Sequence, residues 1–190
     1  MELSIEDFFE GDFIPKDVIV ICVAGGSGSG KSFVAERIAD KVGARVLAMD
    51  DYILPNKITR DSNWDLPECW DLDLLNANLK SFLDGRGFKK PVYDFRNGGI
   101  SKYEVFEAGG RIVVEGLHSL HDLVFSYSDF SVFVESPESV RLARVVKRDF
   151  SERGGYNESR IKERWNNTIQ SAFLKYVDSQ KWKVDFIVLN

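Results

Sequence analysis

The stretch Gly25-Gly26-Ser27-Gly28-Ser29-Gly30-Lys31-Ser32 constrains this chain more than any other. It satisfies G-x-x-x-x-G-K-[ST], and its surroundings give the pattern meaning. Before it runs Val18-Ile19-Val20-Ile21-Cys22-Val23-Ala24, an unbroken apolar run expected to form a buried strand. After it, Val34, Ile38 and Val42 are spaced for one face of a helix. A flexible Gly/Ser linker needs neither flank. Glycines let the backbone turn sharply and approach an anion without a Cβ clash. Backbone N–H groups and the helix N-terminus then face that anion. Lys31 can offset the β- and γ-phosphate charge, and the Ser32 hydroxyl can ligate Mg²⁺. Nucleoside triphosphate binding over 25–32, with the adjoining Phe33, is therefore the starting expectation.

Length and charge narrow the rest. A chain of 190 residues is expected to be a single domain, 1–190, with a sizeable core. Its net charge of −5 disfavours a general nucleic-acid surface. No apolar run approaches membrane-spanning length, and the acidic start has no apolar signal-peptide region. The two cysteines, Cys22 and Cys69, suggest neither a disulfide framework nor a zinc site and fit a reducing cytoplasm. The expected partner is a small molecule rather than nucleic acid or membrane, and a homo-oligomer is compatible with the sequence.

Along the chain, 1–17 form an expected N-terminal extension, with a short helix through Phe8 and Phe9 that packs on the core. A second strand, 45–49, delivers Asp50 and Asp51 to its C-terminal end, where open α/β sheets bind ligands. These acids are candidates for base or Mg²⁺ chemistry, or equally for capping and loop charge. Asp71 is placed to cap a helix with Leu74, Leu75, Leu79, Phe82 and Leu83 on its apolar face. The alternating runs 91–95 and 103–107 predict an antiparallel hairpin within 88–108. Strands are expected over 111–115, 130–135 and 184–189, the first of them ending in Glu115. A short helix is expected over 117–125. Ser136-Pro137 looks like a helix start, with Ser136 as the cap. The helix that follows carries Arg141, Arg144, Lys147, Arg148 and Arg153, and its Gly154-Gly155 exit suggests a mobile lid over 148–158. Such a charge run is either a solvated face or the positive charge a phosphoryl-transfer site needs. A last helix is expected over about 159–176. The pattern predicts an α/β fold: a five-stranded parallel sheet with helices on both faces and a small inserted antiparallel β-hairpin.

Several motifs in order resemble the uridine kinase/phosphoribulokinase family of P-loop kinases, most closely the uridine–cytidine kinases. They are the P-loop, Met49-Asp50-Asp51-Tyr52, Asn63-Trp64-Asp65-Leu66-Pro67, Pro91-Val92-Tyr93-Asp94-Phe95, Val114-Glu115-Gly116 and the helix from Arg141 to Gly154. The resemblance implies a P-loop nucleoside-kinase-like fold and an ATP- or GTP-dependent phosphotransferase with an alcohol acceptor. It implies Asp50 as general base, Asp65 on ribose hydroxyls, Tyr93 and Phe95 flanking a base, and Glu115 with Ser32 placing Mg²⁺. It further implies that Arg148 and Arg153 reach the phosphates, with Lys31 and Arg148 assisting catalysis. The acceptor side departs from the family pattern. Gly98 stands where a base-reading His is expected, Arg144-Val145 replaces an Arg pair, and Arg153-Gly154-Gly155 replaces Arg-Gly-Arg. A nucleoside 5′-hydroxyl is the acceptor the family favours. The alternatives are another hydroxyl metabolite such as pantothenate, nicotinamide riboside or a sugar phosphate, or a non-catalytic P-loop NTP-binding protein. A GTPase switch lacks support, because Asn56-Lys57-Ile58-Thr59 is without the Asp of Asn-Lys-x-Asp.

Overall fold

The computed structural model describes residues 1–58, 63–151, 153 and 157–190. Its centre is a six-stranded parallel sheet in the order β1-β8-β7-β2-β6-β3. These strands are β1 (Glu2–Ser4), β2 (Val20–Gly25), β3 (Ala44–Ala48), β6 (Arg111–Glu115), β7 (Phe130–Glu135) and β8 (Phe186–Leu189). The separate hairpin is β4 (Phe88–Asp94) with β5 (Gly99–Phe106), paired antiparallel. Central β2 is buried along its whole length, as a continuous apolar run between two helical layers must be.

The sheet has one strand more than the sequence predicts. Glu2-Leu3-Ser4 carries no strand pattern, yet it pairs in parallel with β8 and uses backbone groups that β8 would otherwise present as an open edge. It leads into α1 (Ile5–Glu10), capped by the Ser4 hydroxyl, which accepts the Asp7 N–H at 3.1 Å. Phe8 and Phe13 pack against Phe186, so the extension belongs to the core as expected.

One face of the sheet is covered by α1 and α2 (Lys31–Val42), the other by α3 (Leu72–Leu83) and the hairpin. Asp71 caps α3 as predicted, accepting the Leu74 N–H at 2.9 Å. The helix expected over 117–125 contracts to α4 (Asp122–Phe125). Helix α5 (Glu138–Ser151) starts where Ser136-Pro137 predicts, but the Ser136 hydroxyl does not cap it. It lies instead between the carbonyls of Ser29 and Asn190, which share its one proton. The last helix begins with α6 (Glu158–Arg164) and continues through π-helical turns at Trp165–Ile169 and Phe173–Val177. Of the expected lid, 152 and 154–156, including the Gly-Gly exit, lie outside the described residues. Both cysteines are free and buried.

Candidate functional site

Strand β2 ends at Gly25 and α2 begins at Lys31, so 26–30 must reverse the chain within a few residues. Gly30 caps α2 in the left-handed region at φ +89°. A Cβ at Gly28 would strike the Arg141 carbonyl. These constraints explain glycine at both positions. Lys31 is buried at the mouth of the loop, with 8% of its surface exposed. The Ser32 hydroxyl donates to Glu115 Oε1 at 3.2 Å. Glu115 sits at the tip of β6, the strand paired with β2, which brings a residue 83 positions away beside Ser32. Burial pushes the Glu115 carboxyl up to about 7, opposed by Lys31. Its Oε2 is buried with no hydrogen-bond partner among the described residues. A hydroxyl beside a carboxylate with one orphaned oxygen fits the hard oxygen ligation of Mg²⁺. Phe33, counted with the loop on sequence, turns its side chain to solvent and is 53% exposed.

The two acids after β3 do not alternate as a strand would send them. They lie on a 3₁₀ turn, Met49–Tyr52, and separate by partner. Asp51 accepts from Lys90 Nζ at 2.5 Å and from the Tyr93 N–H at 3.2 Å, which ties the hairpin to the sheet. Asp50 lines a narrow pocket with Ser27, Lys31, Asp65, Phe95, Arg148 and Arg153. Asp65 is buried there and accepts from Ser27 Oγ at 3.4 Å. Burial raises its carboxyl above the usual range, while Arg164 and Lys31 oppose the rise. Phe95 faces the pocket, whereas Tyr93 is buried and meets it edge-on, centroids 5.0 Å apart.

Cations dominate the far wall. The Arg153 guanidinium lies 3.6 Å from the Phe95 ring centroid and 3.8 Å from Asp50 Oδ2. Burial, reinforced by neighbouring Arg148, pushes it down to about 10. Arg148, Arg153 and Arg164 all approach the buried Asp149 carboxylate, at 3.0, 3.8 and 3.6 Å. Sequence reasoning did not single out Arg164, although its place one helical stretch after the basic helix was a usable signal. It also missed His118, three residues past Glu115, which is paired through Nε2 with the Asp65 carbonyl at 3.0 Å. Burial pushes this imidazole down to about 4, so it is neutral and donates its Nε2–H to that carbonyl.

The basic helix is not a single lid surface. Arg148 and Arg153 line the pocket, but Arg141 is buried over the Phe173 ring at 3.9 Å and the Trp165 ring at 5.1 Å. Its Nε and Nη1 lack hydrogen-bond partners among the described residues. With Gly26, Phe173 and Asn190 it borders a second cavity of ≈ 580 Å³ beside the phosphate-binding loop.

Residues 20–190 match the model of the Phosphoribulokinase / Uridine kinase family. Uridine kinase of Ligilactobacillus salivarius is 31% identical over 183 residues, 90% of this chain and 84% of that protein. Phosphoribulokinase of Synechocystis is 30% identical over 178 residues, 90% of this chain and 53% of that protein. Among solved structures, one described as a possible uridine kinase from Bacillus stearothermophilus aligns with TM-score 0.69, 18% identity and 96% of each chain. Another, provisionally described as a fructose transport system kinase from Silicibacter sp. TM1040, aligns with TM-score 0.75 at 17% identity, covering 97% of this chain and 98% of that one.

Proposed function

This chain belongs to the phosphoribulokinase/uridine kinase family, and on that premise we propose that it moves the γ-phosphate of ATP or GTP to a hydroxyl of a small molecule other than uridine or cytidine. The observation that carries the reading is convergence. Asp50, Asp65 and Phe95, from three separated segments, line the same pocket as Ser27 and Lys31 of the phosphate-binding loop. An acceptor held by Asp65 and Phe95 lies beside both the candidate base and the triphosphate, as in-line transfer demands.

In this reading 25–32 hold the phosphates, and the cavity beside Arg141 and Phe173 takes the nucleotide base. Asp50, whose carboxylate faces the pocket, accepts the hydroxyl proton. Asp51, engaged by Lys90 and the Tyr93 N–H, holds the hairpin. Arg148 and Arg153 stabilise charge on the transferring group. Ser32 and Glu115 hold Mg²⁺, which when bound neutralises phosphate oxygens.

Uridine and cytidine are disfavoured because position 98, where the family pattern expects a base-reading His, carries no side chain. Gly98 lies at the hairpin tip with φ +68°, and a Cβ there would meet nothing within 4 Å. The neighbouring Asn97 amide is taken by Asp94 at 2.6 Å. Moreover, the Phe95 face on which a base would stack carries the Arg153 guanidinium. An ADP-release screen over nucleosides, pantothenate, nicotinamide riboside and sugar phosphates tests the proposal. Release stimulated by a non-pyrimidine acceptor and abolished in Asp50→Asn is the expected result. Stimulation by uridine alone refutes the acceptor assignment, and no stimulation by any of these hydroxyl compounds counts against kinase activity.

A further inference from the structure

The outer face of the phosphate-binding loop is held as closely as its inner face is shaped. One carbonyl, that of Ser29, is approached by three donor groups from two distant parts of the chain. The Ser136 hydroxyl lies at 3.0 Å, Asn190 Nδ2 at 2.8 Å and Arg144 Nη1 at 3.2 Å. Arg144 Nη1 also reaches the Gly28 carbonyl and the Ser136 hydroxyl, both at 3.3 Å. The Asn190 amide comes so close that a Cβ at Gly30 would collide with it. Two nitrogen donors, from Arg144 and Asn190, and a hydroxyl whose one proton is shared with the Asn190 carbonyl converge on this oxygen, so the peptide is pinned in orientation.

The peptide unit is planar and trans, so the C=O of Ser29 and the N–H of Gly30 point in opposite directions. Pinning the carbonyl toward α5 turns the Gly30 N–H to the other face of the loop. There, at the N-terminus of α2, it adds to the partial positive charge offered to an anion. If the peptide flipped, a carbonyl oxygen would replace a donor on the binding face. Arg144 stands within the basic run of α5, yet it touches loop carbonyls rather than the pocket that Arg148 and Arg153 line.

We propose that Arg144, with Ser136 and Asn190, is a positioning residue of the phosphate-binding loop, acting on the Ser29–Gly30 peptide from behind and not as a phosphate ligand. The inference rests on the reading of 25–32 as the nucleotide site. It couples the start of α5 and the end of β8 to nucleotide affinity, because both supply donors to one peptide.

Two measurements on the whole chain test it. In the nucleotide-free protein, amide hydrogen exchange over 25–32 should quicken in Arg144→Ala and, to a smaller degree, in Ser136→Ala. A phosphate ligand has no such effect without phosphate. Calorimetric titration with Mg·AMP-PNP and with Mg·ADP should then show both weakened by the same factor, about tenfold for Arg144→Ala, the lower end for a charge-assisted hydrogen bond because the arginine is partly exposed. In the Arg144→Ala/Ser136→Ala double variant the losses should fall short of additive, since both donors serve one carbonyl. Unchanged exchange, or weakening confined to AMP-PNP, overturns the proposal and makes Arg144 a direct γ-phosphate ligand or a bystander. Failure of the unaltered chain to bind either nucleotide overturns the nucleotide-site reading itself, a result distinct from the other two. Arg144 lies on an exposed helix face, and thermal melts of each variant verify the fold.

Discussion

In the function proposed above, the triphosphate half of the site and the acceptor half are built on different principles. On the triphosphate side most of the work falls to eight consecutive residues and the tip of an adjacent parallel strand. Its donors are main-chain N–H groups, so the loop's shape is its chemistry, and glycines at fixed positions encode that shape. On the acceptor side the groups are side chains. They come from the 3₁₀ turn at 49–52, the segment around Asp65, the hairpin, the residues after β6, and α5 with α6. No short segment holds that half, so it can drift while the triphosphate half stays recognisable. Gly98, Val145 and Gly155 are all departures on the acceptor or lid side.

The comparison is broken most severely at Lys31. Lys31→Ala should lower kcat/KM by about 10³, because it is the only cation within the loop and pre-set charge of this kind contributes the largest single share of transition-state stabilisation. Steady-state ADP release measures it, and near-normal turnover would remove the triphosphate half from the mechanism. Next in size, Asp50→Asn should lower kcat by about 10²–10⁴, the usual range for a general base, while calorimetry shows AMP-PNP binding little changed. If Asp51→Asn is crippling and Asp50→Asn mild, the assignment of the two acids is reversed.

Within the acceptor half, His118 responds to acid. His118 is held near 4 against an ordinary 6.5 by burial. Its folded value is the lower one, so between these limits the unfolded imidazole binds more protons and the contribution of His118 to stability falls as pH drops from about 6.5 to about 4, while Glu115, raised by burial to about 7, contributes the opposite trend. The shift corresponds to a loss of up to about 3 kcal/mol. Urea unfolding at pH 7 and pH 4.5 should show a smaller loss in His118→Gln than in the unaltered chain. Equal losses would mean that the buried imidazole does not govern the acid response.

Smaller again is the discrimination against uridine. Absence of a base-directed hydrogen bond should cost roughly 1–3 kcal/mol in kcat/KM relative to the best acceptor. A uridine value of about 10⁴ M⁻¹s⁻¹ or more, unmatched by any other compound, would erase the asymmetry between the two halves. The smallest effect is expected at Lys90. Lys90→Met removes the partner of Asp51 and slackens the hairpin. The acceptor KM should rise several-fold with nucleotide KM unchanged, in keeping with a part-buried charge-assisted bond. A rise in nucleotide KM instead would show that the halves share one support.

Much of this molecule follows from local sequence. The buried strands β2, β6 and β7, the cap of α3 and the hairpin depend on neighbours within a few residues, where spacing and capping chemistry act, whereas the phosphate-binding loop takes its glycines from local pattern and its support from Ser136, Arg144 and Asn190. Pairing of distant segments does not follow from local sequence. The sequence marked Ser32 and Glu115 separately, but β2–β6 pairing puts them in contact. Nothing in Glu2-Leu3-Ser4 announces a strand, because the demand for one comes from the open edge of β8. Position alone leaves Asp50 and Asp51 alike, and the family resemblance favours Asp50; the fold separates them physically, because Lys90 and the Tyr93 N–H, about forty residues on, engage Asp51. The basic helix shows a run of like charges in sequence. Only tertiary packing decides that Arg141 lies under Phe173, Arg144 behind the loop and Arg153 over Phe95, since a charge settles where carboxylates, carbonyls and rings from elsewhere offset its burial.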